Sequence, residues 1–295
     1  MGIVGDKVEG CMRFLSTLVV IVALGYGLYW VSENRPELKS KVLEVVNTRT
    51  VQVLEARFTA KQIMEKERIA LVKNDTHRCT EPILKFHPYL LLEVKFVNQE
   101  FRTEEGVILW DLVDGEMVTD TSTWEKTHGF ADCLRTNAER HEYAILRAIA
   151  QNKGRANRQI LTHALGSIDN NLVESWIERA CKKKLVISLG DDDYRIHLHS
   201  PRIYVRPSTH ISGPLVVQNC KCNECLAPHY APKKIIKAAE AAFGSDFAIR
   251  SSKEVFLPVY SITVQDSRGS QHTTHWNAVS GKSVCYFDLS QNSFE

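Results

Sequence analysis

The chain has 295 residues, a formal net charge of +2, 44% hydrophobic and 24% charged residues, 15 glycines and 9 prolines. These values exclude a disordered tail and attachment to nucleic acid or anionic lipid by bulk charge alone. Cysteines stand at 11, 79, 133, 181, 220, 222, 225 and 285, too dispersed for a small disulfide scaffold. They read as thiols with one local cluster.

Residues 1–32 are expected to form a tail and a transmembrane anchor. Phe14–Val31 (FLSTLVVIVALGYGLYWV) carries no charge, and at ~1.5 Å of rise per residue it just crosses a hydrocarbon core of about 30 Å. Tyr26, Tyr29 and Trp30 crowd its C-terminal end, as amphipathic rings do at a membrane–water boundary. The competing reading is a cleaved signal peptide processed at Ala23-x-Gly25. The apolar run through Trp30 and the acids Asp6 and Glu9 upstream oppose it. Lys7 and Arg13 precede the span while Arg35, Lys39, Lys41 and Arg49 follow it. The expectation is a single-pass membrane protein, in the bilayer through Phe14–Val31, with a cytoplasmic C-terminal body.

Residues 33–47 read as a juxtamembrane helix, with Pro36 near its start. Residues 48–136 read as a small α+β domain: a strand at 48–59, a helix at 60–73, and strands at 83–97 and 101–113. Pro88 is expected to divide the first of these long strands into an edge piece and a central piece. Within 137–206 the apolar spacing predicts helices at 139–152, 157–165 and 169–184, the last capped by Asp169. A hairpin follows, LVISLG (185–190) and YRIHLH (194–199), turning at Asp191-Asp192-Asp193.

Three helices followed by a two-stranded wing resemble the winged-helix family over about 137–206. Residues 207–230 read as a linker holding the cysteine cluster. In 231–295 a helix at 231–243 precedes a hairpin that leaves through Asn277-Ala278-Val279-Ser280-Gly281-Lys282. This block resembles PepSY-like domains, in which a strand ends in a D-A-x-T-G-K-type turn; here Asn replaces the acid and Ser the threonine. The resemblance implies a helix on a small antiparallel sheet. Such domains mostly lie outside the cytoplasm, which counts against the orientation read from the charges. The predicted fold class is therefore α+β multidomain: transmembrane helix, small α+β domain, winged helix, and helix plus antiparallel sheet.

The winged-helix resemblance implies either duplex binding or protein docking. In the DNA-binding form the third helix enters the major groove and the wing touches phosphate. Away from the apolar face, that helix offers Asn171, Glu174, Ser175, Glu178 and Lys182. Asn171 and Ser175 suit base edges and Lys182 suits phosphate, but Glu174, Glu178 and the wing residues Asp191, Asp192 and Asp193 repel it. Residues 138–200 hold ten Lys/Arg against eight Asp/Glu, a weak bias for a dedicated DNA binder.

Cys220, Cys222 and Cys225 with His229 offer three thiolates and an imidazole, the donors of a tetrahedral zinc shell, although no second C-x-x-C is present. Linker thiols and a redox-labile pair are the alternatives. Glu93 and Lys95 share a strand face in an E-x-K pattern like half of a nuclease metal site; the preceding strand offers only Glu55 as the further acid. His197 and His199 are spaced for one strand face, without a third ligand in view. No G-x-S-x-G, Walker loop, H-E-x-x-H or dinucleotide fingerprint occurs. The leading expectation is a membrane-anchored, non-enzymatic scaffold or adaptor for protein partners. A membrane-tethered DNA-binding regulator comes second, and a metal-dependent enzyme built on Glu93 and Lys95 third.

Overall fold

The computed structural model describes residues 48–68, 78–98, 100–166, 170–265 and 269–284. The expected anchor at 14–31, the expected helix at 33–47, and Asp169 lie outside the described residues. Among the described residues, no helix is long and apolar enough to cross a membrane. The chain divides into two compact units. The smaller contains, of the described residues, Thr48–Thr50 and Asn219–Cys222, and there the Thr50 hydroxyl lies 2.9 Å from Asn219 Oδ1. The larger runs from Val51 to Gln218 and onward from Asn223.

The elements in chain order are β1 (Thr48–Leu54), α1 (Ala60–Lys66), β2 (Arg78–Cys79), β3 (Ile83–Val97), β4 (Thr103–Asp111), β5 (Met117–Asp120), β6 (Glu125–Lys126), α2 (Phe130–Arg135), α3 (Arg140–Gln151), β7 (Arg155–Asn157), α4 (Arg158–Leu165), α5 (Asn170–Lys182), β8 (Val186–Gly190), β9 (Asp193–Ile196), β10 (Leu215–Lys221), α6 (Pro232–Phe243), β11 (Phe247–Gln265), β12 (Gln271–Asn277) and β13 (Ser283–Val284). The class is α+β, with a mixed sheet in the order β10-β1-β11-β3-β4-β5-β6 and a three-stranded antiparallel sheet β7-β9-β8.

β11 organises the larger sheet. It runs parallel to β1, with Val53 opposite Phe256, and antiparallel to β3 from Phe247↔Phe96 to Pro258↔Phe86. Its second half forms the hairpin with β12, from Val259↔Asn277 to Gln265↔Gln271. Segments 48–136 and 231–295, expected as separate domains, therefore contribute neighbouring strands to one sheet. β3 is buried on both faces, as a central strand must be. Leu90, Leu92, Val94 and Phe96 meet the helices, whereas Tyr89 and Leu91 face a second cluster with Leu109, Val118, Val255 and Leu257.

Pro88 does not divide β3. Its carbonyl accepts from Leu112 N–H at 3.1 Å, so its missing donor also points toward the β4 side. The β3–β4 ladder has already ended there, at Tyr89↔Asp111, and no ladder bond is lost. The expected linker at 207–230 is also tied in. Thr209 accepts the Leu109 N–H at 2.9 Å and donates its hydroxyl to the Val118 carbonyl at 2.5 Å, stitching this segment to β4 and β5.

The helical segment forms from local signals. Asn157 caps α4 by accepting from Ile160 N–H at 2.9 Å, and Gly166 ends it in the left-handed region. Glu139 and Glu142 form a reciprocal box at the start of α3. Val173, Ile177 and Ala180 of α5 meet Tyr143, Ile145 and Ile149 of α3 in the main core. β7 adds a third strand to the expected two-stranded hairpin. β9 ends at Ile196, so His197 and His199 fall beyond the strand whose face they were expected to share.

In the C-terminal block, Asn277 does for its turn what an aspartate would. Its Oδ1 accepts from Val279 N–H at 2.7 Å and Ser280 N–H at 3.1 Å. Gly281 follows at φ +70, and an added Cβ there would lie 3.3 Å from the Phe58 ring. Glycine suits the position by its backbone conformation, and the Phe58 ring adds a tight contact that a Cβ would have to displace.

Candidate functional site

The exposed face of α5 and the β8–β9 turn carry the residues singled out from sequence. On α5, Glu174 accepts from Arg158 at 2.9 Å, and Lys182 reaches Glu178 at 3.4 Å. The Ser175 hydroxyl donates to the Leu172 carbonyl at 2.8 Å. Asn171 is exposed near the start of the helix. Two further cations are paired: Arg179 bonds Glu139 at 2.6 Å in an exposed pair, and Lys183, just beyond the helix, bonds the buried Glu142 at 2.6 Å. Most charge on this helix is therefore matched within the protein. Leu172 and Leu189, 42% and 45% exposed, stand out as apolar groups on the helix and the wing.

At the wing tip, Asp191 and Asp192 both adopt positive φ, +50 and +60, the backbone of a tight hairpin turn. Asp193 belongs to β9 and pairs with Arg155, whose Nε donates to it at 3.1 Å. Two of the three wing acids thus point their charge at solvent without a basic partner among the described residues.

The cysteine cluster divides between the two units: Cys220 falls in the smaller, Cys225 and His229 in the larger. The Cys222 side chain lies outside the described residues. Cys225 forms an isolated bridge with Phe86, and His229 packs edge-on against Tyr230 with ring centroids 4.6 Å apart. Among the described residues, no group of three or more His, Cys, Asp or Glu is placed to hold a metal ion. That applies to Glu93 and Lys95 as well. Glu93 is exposed and its register partners are Val107 and Ser251, so no second acid stands opposite it.

A second polar constellation was not foreseen. Lys126 bridges Asp111 at 2.6 Å and Asp114 at 2.7 Å. Asp111 is buried, and its Oδ1 also accepts from Val113 N–H at 2.7 Å and Asp114 N–H at 3.2 Å. Burial raises its pKa, but the Lys126 charge and the hydrogen bonds outweigh this and hold it below the ordinary carboxylate value. Asp114 keeps 44% exposure at the rim. Its carboxyl is nonetheless pushed up to about 6, first by loss of water and then by the Asp111 charge. On the same sheet face, His87 is buried and lowered to about 4, chiefly by desolvation. Ser261 Oγ lies 3.0 Å from His275 Nδ1. The aspartates were visible in D-L-V-D-G, but the lysine that joins them is 15 residues from Asp111. The cluster ties the β4–β5 turn to β6.

Compared with protein-family models, curated proteins and solved structures, the chain matches none of them.

Proposed function

We propose that the chain is a single-pass membrane-anchored, non-enzymatic adaptor, held in the bilayer through Phe14–Val31, which docks a protein partner on the face of α5 and the β8–β9 wing. The observation that carries this reading is the internal matching of charge on α5. Glu174 is engaged by Arg158 and Glu178 by Lys182, Arg179 and Lys183 turn to Glu139 and Glu142, and Leu172 and Leu189 remain exposed. A duplex-binding face needs the reverse, unpaired cations toward phosphate. The helix–strand order from α3 to β9 supports assigning 137–206 to the winged-helix family. The Asn277 turn supports a PepSY-like assignment for the C-terminal block, although its central strand is shared with β3. On this reading the body lies on the cytoplasmic side, as the four Lys/Arg after the span against two before it favour.

The test uses the full chain. In the source cells, a photo-crosslinker at Leu189 is expected to give a discrete protein adduct that is lost on Leu172→Asp, and duplex binding is read on the detergent-solubilised chain. Random duplex is expected to bind weakly at physiological salt. Nanomolar, sequence-selective duplex binding would overturn the reading in favour of a membrane-tethered DNA-binding regulator.

A further inference from the structure

A cavity of about 460 Å³ opens between α3, the C-terminal ends of α4 and α6, and α5, a volume typical of small-molecule sites. No carboxylate lines it among the described residues. Its polar groups are Arg140, His141 and Arg147 of α3, and the Trp176 indole of α5 adds an aromatic surface; small apolar residues such as Ala164 and Ala242 complete it. Arg140 and Arg147 are two helical turns apart and so project from one face of α3.

Each polar group is placed but not consumed. Arg147 Nη1 donates to the Ala242 carbonyl at 3.3 Å, and its guanidinium lies 5.9 Å from the Tyr204 ring centroid, which fixes the side chain while leaving other donors of the fork unused. Arg140 reaches toward the end of α6, its Nη2 being 3.8 Å from the position a Gly244 Cβ would take. It has no ion pair among the described residues. His141 stacks on Trp176 with centroids 5.0 Å apart and planes 17° apart. Its Nε2 is buried and, among the described residues, has no hydrogen-bond partner, the Glu139 carboxylate staying 3.7 Å away. Burial lowers its pKa, disfavouring the charged ring.

We propose that this cavity binds a small organic anion, a carboxylate or phosphate carried on an apolar body, with Arg140 and Arg147 holding the oxyanion and Trp176, Ala164 and Ala242 receiving the apolar part. An uncharged ligand would cover two guanidiniums without giving them acceptors, which is costly. A bare inorganic anion would leave the apolar lining unused. Guanidiniums hold carboxylate and phosphate with the same charge-assisted, often bidentate, geometry.

The experiment is equilibrium dialysis on the detergent-solubilised full chain with four probes: phenyl phosphate, benzoate, inorganic phosphate and phenol. Saturable binding of phenyl phosphate or benzoate at one site per chain is expected, and the stronger of the two names the anion. Inorganic phosphate and phenol are expected to bind about tenfold more weakly or not at all, and Arg140→Gln with Arg147→Gln is expected to weaken the preferred probe about tenfold or more. Ala164→Trp, at an exposed position, keeps both charges and should block the site by filling it. It therefore tests the site even if the arginine variant does not fold. The proposal is overturned if neither organic anion binds saturably, if phenol or inorganic phosphate binds equally well, or if Ala164→Trp leaves anion binding unchanged.

Discussion

Lys183, just beyond the end of α5, donates at 2.6 Å to Glu142 on α3, a carboxylate with 0% of its side chain exposed. The contact closes one end of the helical segment, and among the described residues the other Glu142 oxygen has no hydrogen-bond partner. The lysine is the group that offsets this buried charge. Lys183→Met is expected to lower the stability of the α3–α5 segment by about 3 kcal/mol, because it leaves the carboxylate uncompensated. Combining it with Glu142→Gln should recover part of the loss. Amide hydrogen exchange of α3 and α5 in the three variants measures both effects, and equal protection in Lys183→Met and wild type would refute the assignment.

The two aspartates sharing Lys126 should behave differently. Asp111→Ala is expected to cost about 3 kcal/mol or more, since Lys126 loses its buried partner and two backbone N–H groups lose their acceptor. Asp114→Asn should cost much less, because the amide oxygen can still accept from Glu116 N–H, now 2.9 Å from Asp114 Oδ1, and repulsion with Asp111 disappears. Because the folded state raises the Asp114 pKa from 3.8 to about 6, it binds a proton between those values that the unfolded chain does not. This group therefore adds stability as pH falls from about 6 toward 4. The gain should vanish in Asp114→Asn. Denaturation midpoints at pH 7 and pH 5 for the two variants decide the point.

His87 acts with the opposite sign. Its folded-state pKa is lowered from 6.5 to about 4, so the unfolded chain takes up a proton first as pH falls. Stability from this group is full above 6.5 and is lost toward 4, by about 3 kcal/mol for a shift of this size. Replacing His87 with Asn should flatten that part of the acid limb, read as denaturation midpoints from pH 7 to 4. An unchanged slope between pH 6.5 and 4 would show that His87 is solvated in the native state.

At the wing, Asp191 and Asp192 hold positive φ that asparagine and glycine adopt more readily. Asp191→Asn with Asp192→Gly should stabilise the β8–β9 hairpin by about 0.5–1 kcal/mol. Asp191→Asn, Asp192→Asn and Asp193→Asn together should strengthen non-specific duplex binding by removing repulsion. Hydrogen exchange across β8 and β9 and a duplex titration at fixed salt measure the two effects separately.

Arginine substitutions at Val20 and Val22 are expected to release the chain into the soluble fraction, each opposing insertion by about 2.5–3.5 kcal/mol. Alkaline washing of membranes reads this directly. A mature protein beginning near Tyr26 would show a cleaved signal peptide instead.

Elements whose contacts are local could be read in advance. Gly166 ends α4, and Val173, Ile177 and Ala180 mark the inward face of α5 by helical spacing, whereas Leu172, expected on that same face, is 42% exposed. The neighbour of β3 could not be read, because nothing in ILKFHPYLLLEVKFV distinguishes pairing with a nearby strand from pairing with residues 247–258. Pro88 misled for a related reason: the cost of proline in a strand depends on which edge its missing donor faces. The α5 residues were found by periodicity, but their salt bridges were not, since Arg158 and Glu139 come from other helices. Arg140 and Arg147 were not singled out from sequence, because their shared pocket and the α6 wall opposite them require the fold.

β11 leaves the ribosome after β1 and β3, yet its place is between them. Until residues 247–258 are available, β3, with its run Tyr89-Leu90-Leu91-Leu92, has an unpaired edge where they belong. Such an apolar edge is a template for pairing with other chains. Nascent or truncated chains that stop short of Phe247 are therefore expected to be prone to aggregate. Protection of that edge during synthesis, rather than native stability alone, should limit how much correctly folded protein a cell accumulates.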